Sequence, residues 1–162
     1  MLSGQEKQYA MAFFDGQNLF RHAMDAFGHF HPNYEPLKLH AAVCAKHAWT
    51  PNLVRFYTGV PSALESPMWA AYWSNSVLAM KRAGIVVTTR PIRYHKEIIV
   101  ESDGTERTVT TPQEKGIDIR LVLDLVALAR KREFLVAVIY SQDQDPFSSR
   151  DRTGSGSVVM RP

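Results

Sequence analysis

One cysteine, Cys44, occurs in 162 residues, which excludes an internal disulfide and any thiolate-rich metal site. No apolar run approaches the roughly 20 residues a helix needs to cross a bilayer. The first ten residues, MLSGQEKQYA, are polar and lack the apolar centre of a secretory signal. Charge of one sign is scarce as well. Nineteen Lys and Arg against 16 Asp and Glu leave a net charge of +3, which permits an anionic partner without the basic excess of a dedicated nucleic-acid arm. Internal repeats are absent. What is present is 45% hydrophobic and 22% charged residues, the composition of a folded chain at the usual length of one domain. The expectation is a single-domain α/β protein of the cytoplasm.

Patterning supplies the elements. Residues 9–14 (YAMAFF) form a short apolar run stopped at Asp15-Gly16, the profile of a buried strand. A helix is expected over 18–27, closed by Gly28, and a second over 37–49. Residues 52–58 (NLVRFYT) make the next strand, ended by Gly59 and Pro61. In a long helix over 66–83, Trp69, Trp73, Val77 and Met80 recur as an apolar stripe. Lys81-Arg82 suit the last turn and Gly84 the stop. Residues 85–89 give a third strand. Two β-rich runs, 92–100 and 106–111, meet around Asp103-Gly104 as a hairpin, which Pro91 sets at the edge of the main sheet or away from it. A helix over 117–132 and an apolar strand over 134–140 (FLVAVIY) follow. Residues 147–162 are polar and Gly/Ser-rich, with Val158-Val159-Met160 as their only apolar run.

Strands alternating with helices predict a mainly parallel sheet covered on both faces, and right-handed crossovers put every loop that follows a strand on one rim. Asp15 follows the first strand, Asp118 opens the helix after the hairpin, and Asp143 and Asp145 follow the fourth strand. With strand order 3-2-1-4 the first and fourth strands are neighbours, and the carboxyl-end crevice where such sheets bind ligands falls between Asp15 and Asp143. Carboxylates crowded together repel unless a proton or cation offsets them. Hard oxygen ligands without cysteine select Mg²⁺ or Mn²⁺, ions that bind phosphate oxygens and acidify a bound water, as in phosphodiester hydrolysis. Taken singly, each Asp is equally an ordinary cap or turn residue.

Three motifs carry a family resemblance. Phe13-Phe14-Asp15-Gly16-Gln17-Asn18-Leu19 resembles the F-x-D-G-x-N-L opening of the NYN family, the LabA-like branch of PIN-type nucleases. Lys115-Gly116-Ile117-Asp118-Ile119 with Asp124 is similar to its K-G-x-D helix start, and Ser141-Gln142-Asp143-Gln144-Asp145 to its S-x-D-x-D motif. The resemblance spans residues 10–147 with the motifs in family order. It implies a three-layer α/β/α PIN-like sandwich that cleaves RNA, less often DNA, with a divalent metal, Mg²⁺ or Mn²⁺. Asp15, Asp118 and Asp143 would bind the metal and Asp145 would be a fourth or outer acid. Asn18 would orient Asp15 or contact a phosphate, Ser141 would support the acidic loop, and Lys115 would attract phosphate or balance the acids.

The end of the chain departs from that pattern. Gln144 stands where the family usually has Gly, and Pro146 precedes the bulky residue. Residues 148–162 match neither the further helix nor the fifth strand the family shows. The expectation is a domain over 1–147, a flexible polar tail over 148–162 from a truncated or altered end, and no fifth strand. The fourth strand would then be an open edge, and pairing of two copies through it, a homodimer, is one remedy.

Other signals have plainer explanations. His29 and His31 lack a third ligand; His22, His40 and His47 suit surface or satisfied core positions; Cys44 suits a small buried hydrophobe. Trp69, Tyr72 and Trp73 fit core packing better than base stacking. Basic and acidic residues mix in the hairpin, so it is no basic patch. The alternatives to a nuclease are a catalytically inactive nucleic-acid-binding or assembly module of the same fold, and, ranked last, a small-ester phosphatase. Aspartyl-nucleophile phosphatases commonly need a second Asp two positions after the first, and here Gln17 stands there.

Overall fold

A computed structural model describes residues 8–28, 34–113, 116–141 and, for the backbone alone, 157–160. In chain order the elements are β1 (Tyr9–Asp15), α1 (Gly16–Phe27), α2 (Pro36–Lys46), β2 (Thr50–Val60), α3 (Pro67–Arg82) and β3 (Val86–Pro91). They continue with β4 (Arg93–Val100), β5 (Glu106–Gln113), α4 (Ile117–Arg130), β6 (Val136–Tyr140) and β7 (Ser157–Met160). The main sheet runs β3-β2-β1-β6-β7. Its first four strands are parallel, in the expected order with β6 as the fourth, and β7 is antiparallel to β6. The β4–β5 hairpin forms a separate two-stranded sheet.

Strand β1 lies at the centre of the parallel strands and its residues alternate between two cores. Ala10, Ala12 and Phe14 join Cys44, Phe56, Trp73 and Val138 on the side where α1, α2 and α3 pack. Met11 and Phe13 join Tyr57, Ile117, Leu121 and Leu125 on the side of α4. Both faces of β1 are therefore dry, which explains why the run is apolar throughout rather than alternating. Three of the four residues expected as a stripe on the long helix face the core: Trp73 is buried, and Trp69 and Met80 pack against it, joined by Tyr72 rather than Val77. Phe20 meets the edges of both Trp69 and Trp73.

Close approach fixes the β1–α1 turn. A β-carbon on Gly16 would collide with the Phe56 ring and lie 2.9 Å from the Tyr57 carbonyl oxygen, so only glycine lets α1 start there. Gly28 ends α1 in the left-handed conformation (φ 65°), its N–H donating to the Met24 carbonyl. Helix α2 stops at Lys46 rather than reaching residue 49. Ala48 takes a positive φ of 57°, and the Trp49 N–H turns back to the Cys44 carbonyl.

The absence of a fifth strand is corrected. Backbone at Ser157–Met160 pairs with β6, Ser157 opposite Tyr140 and Met160 opposite Ala137. An apolar strand with a row of unpaired N–H and C=O groups is a template for any β-prone segment within reach, and Val158-Val159-Met160 is such a segment. The β6 edge that motivated pairing between copies is thus occupied from within the chain.

Candidate active site

Asp15 ends β1 and is the N-cap of α1. Its extended backbone (φ −82°, ψ 96°) aims the side chain at the first turn, where Oδ1 accepts from the Asn18 N–H at 3.2 Å. Oδ2 accepts from the Asn18 side-chain amide at 2.7 Å and from the Ser141 hydroxyl at 3.2 Å. The residue is only 6% exposed. Its donors are neutral, and among the described residues no Lys, Arg or His pairs with it. The cap explanation of Asp15 is therefore true, and incomplete: a cap needs neither the Asn18 amide nor a hydroxyl 126 residues away.

That last contact follows from the sheet. β1 and β6 are parallel neighbours with Phe14 opposite Tyr140, so the residues just past each strand end, Asp15 and Ser141, emerge side by side. Phe14 and Tyr140 stack beneath them at 4.1 Å between ring centres and 7° between planes, and Tyr34 lies over Phe14 at 6.5 Å and 11°. An aromatic floor sets the height of the rim. On the β2 side the Gln17 side-chain amide donates to the Gly59 carbonyl at 3.1 Å and ties the first turn of α1 to the end of β2.

Of the residues expected at the site, the structure brings together Asp15, Asn18 and Ser141. Asp118 sits exposed in the first turn of α4, without a hydrogen bond or ion pair among the described residues. Lys115, Asp143 and Asp145 lie outside the described residues, as do His29 and His31. Among the described residues no three acidic, histidine or cysteine side chains converge as a metal group. Asp124 is engaged elsewhere: it accepts from the Tyr57 hydroxyl at 3.0 Å and pairs with Arg120 at 3.0 Å and Arg55 at 3.4 Å. That network pins α4 onto β2.

Arg90 and Tyr34 were not singled out as site residues by sequence reasoning. A β-carbon on Gly116 would lie 2.9 Å from an Arg90 guanidinium nitrogen, so Arg90, at the end of β3, lies over the start of α4. That contact sets the α4 N-terminus against the carboxyl end of β3. The Tyr34 hydroxyl is buried and has no hydrogen-bond partner among the described residues. Burial, then Tyr72 and Asp15 nearby, hold its phenol well above the usual range. No spacing or motif marks Tyr34, which sits between elements; Arg90 is marked only as one of the mixed charges of the hairpin region.

Two more buried groups have satisfied structural roles. His40 donates through Nε2 to the Ala10 carbonyl at 2.9 Å, which leaves Nδ1 to accept from the Tyr140 hydroxyl at 3.2 Å. Burial lowers its pKa, opposed by the bond to Ala10. Cys44 is buried 3.6 Å from that imidazole, and burial raises its thiol pKa. These match the expected satisfied core histidine and small buried hydrophobe.

No protein-family model, curated protein or solved structure matches the chain. No helix among the described residues is long and apolar enough to cross a membrane.

Proposed function

We propose that this chain is a metal-dependent nuclease of the PIN-like type, in the NYN branch, that hydrolyses phosphodiester bonds in RNA in preference to DNA. The observation that carries the proposal is the Ser141–Asp15 hydrogen bond. It ties the first residue of the S-x-D-x-D motif to the aspartate of the D-G-x-N motif across the β1–β6 seam. Asp143 follows Ser141 by two residues, and two peptide units span at most about 7 Å.

The donor set around Asp15 suits a hard cation. Oδ2 is filled by two neutral donors, Oδ1 keeps a lone pair beside one, and no cationic side chain among the described residues offsets the charge. Mg²⁺ or Mn²⁺ would be held by Asp15, Asp118 and Asp143, with Asp145 as outer acid. Such an ion polarises a phosphoryl group and acidifies a bound water. Asn18 and Ser141 fix the Asp15 carboxylate so that it need not reorganise. Arg90, which lies over the start of α4, would attract the phosphate backbone, and Lys115 would add to that charge. A lone buried cysteine suits the reducing cytoplasm.

The competing proposal is a nucleic-acid-binding or assembly module without turnover, in which Asp15 does no more than cap α1. It draws on Asp118, which stands exposed without a described partner. Labelled single-stranded RNA incubated with Mn²⁺ separates the two. Cleavage is expected to need the metal and to fall about a hundredfold or more, roughly 2.7 kcal/mol of barrier, in Asp15→Asn and Asp143→Asn. Metal-independent cleavage, or rates unchanged from the wild type in both variants, rejects the metal-dependent nuclease.

A further inference from the structure

Buried hydroxyls are almost always hydrogen-bonded, and one that lacks a protein partner calls for an acceptor the chain does not supply. Among the described residues the Tyr34 hydroxyl is such a group. Its ring is held by the stack on Phe14, the residue before Asp15, so the hydroxyl cannot swing to solvent without dismantling the aromatic floor. The charged neighbour that acts on it is Asp15, and Asp15 Oδ1 accepts a single hydrogen bond, from the Asn18 N–H. The buried Tyr34 hydroxyl, orphaned among the described residues, thus feels the charge of a carboxylate that keeps an unfilled lone pair, with no direct hydrogen bond between the two. A polar gap of that kind is where proteins keep an ordered water.

We propose that Tyr34 is a positioning residue of the Asp15 site, joined to the carboxylate through one ordered water between its hydroxyl and Oδ1. Resting on the metal-site reading, the proposal gives that water a second role. Hard divalent ions keep part of their hydration shell, and a phenol oxygen accepts as well as donates. Were a cation held at Asp15, the Tyr34 oxygen would accept a hydrogen bond from one of its hydration waters. Outer-shell partners of this kind commonly govern metal affinity by ten- to a hundredfold.

Tyr34→Phe removes the hydroxyl and keeps the ring stacked on Phe14. Two measurements test it. A crystal structure of the wild-type chain is expected to show a water within hydrogen-bond distance of both Tyr34 Oη and Asp15 Oδ1. Calorimetric titration with Mn²⁺ is expected to show affinity about tenfold weaker in Tyr34→Phe, with its melting temperature unchanged as evidence of an intact fold. A Tyr34 hydroxyl bonded to another protein group, or left dry, overturns the proposal, and so does equal Mn²⁺ affinity in the two proteins. If the wild type binds no Mn²⁺ at all, the metal-site reading is what fails, and the water at Tyr34 alone decides the link to Asp15.

Discussion

At Asp15, one side chain caps a helix and presents a carboxylate to the rim, and the two roles separate by substitution. Asparagine caps a helix about as well as aspartate, whereas alanine loses about 1 kcal/mol. The Ser141 hydroxyl and the Asn18 amide can each turn to meet an amide at position 15. Asp15→Asn is therefore expected to melt close to the wild type while losing metal binding, and Asp15→Ala to lose both, as thermal melts followed by circular dichroism will show. An Asp15→Asn protein that unfolds at ordinary temperature would mean that the charge serves the fold. His40 carries a separate, pH-linked prediction. Its folded pKa lies below the ordinary 6.5, so the unfolded chain takes up the proton first as pH falls. Stability is then lost from about pH 6.5 downward to the folded value, and above 6.5 His40 contributes no slope. His40→Gln is expected to flatten the melting temperature below pH 6.5, and to cost about 1–3 kcal/mol at neutral pH through the broken bonds to Ala10 and Tyr140.

Among the elements, legibility tracked how local the determinant is. The stop of α1 at Gly28 and the hairpin at Asp103-Gly104 each rest on a few adjacent residues and stand where the sequence puts them. Helix α2 ends early because Ala48 adopts a left-handed backbone, a conformation that alanine does not advertise. β7 is a four-residue strand whose pairing depends on an exposed edge more than 15 residues earlier, so no periodicity within it gives it away. Because successive N–H groups along a strand alternate sides, replacing both Val158 and Val159 by proline must remove a donor facing β6. The expected outcome is an uncovered β6 edge and self-association, seen by light scattering as a rise in mass at micromolar concentration. A variant that stays at the wild-type mass and melting temperature would show that β7 contributes nothing.

For the molecule as a whole, the strand order was readable because βαβ handedness leaves few alternatives, and the order alone brings residue 15 beside residue 141. Three of the seven candidate residues came with it: Asp15, Asn18 and Ser141 meet. Asp124 looked like part of the acidic motif and is instead neutralised by Arg55 and Arg120, a partnership set by how α4 lies on β2, which no spacing encodes. Tyr34 was invisible for the same reason, since its relation to Asp15 exists only after the sheet and its helices are assembled. The central claim is that the rim at Asp15 holds a hard divalent cation. Isothermal titration of the wild type and Asp15→Asn with Mn²⁺ tests it most directly. Saturable binding in the wild type, lost in Asp15→Asn at unchanged melting temperature, is the expected result; no binding by the wild type at millimolar Mn²⁺, or equal binding by both proteins, would contradict it.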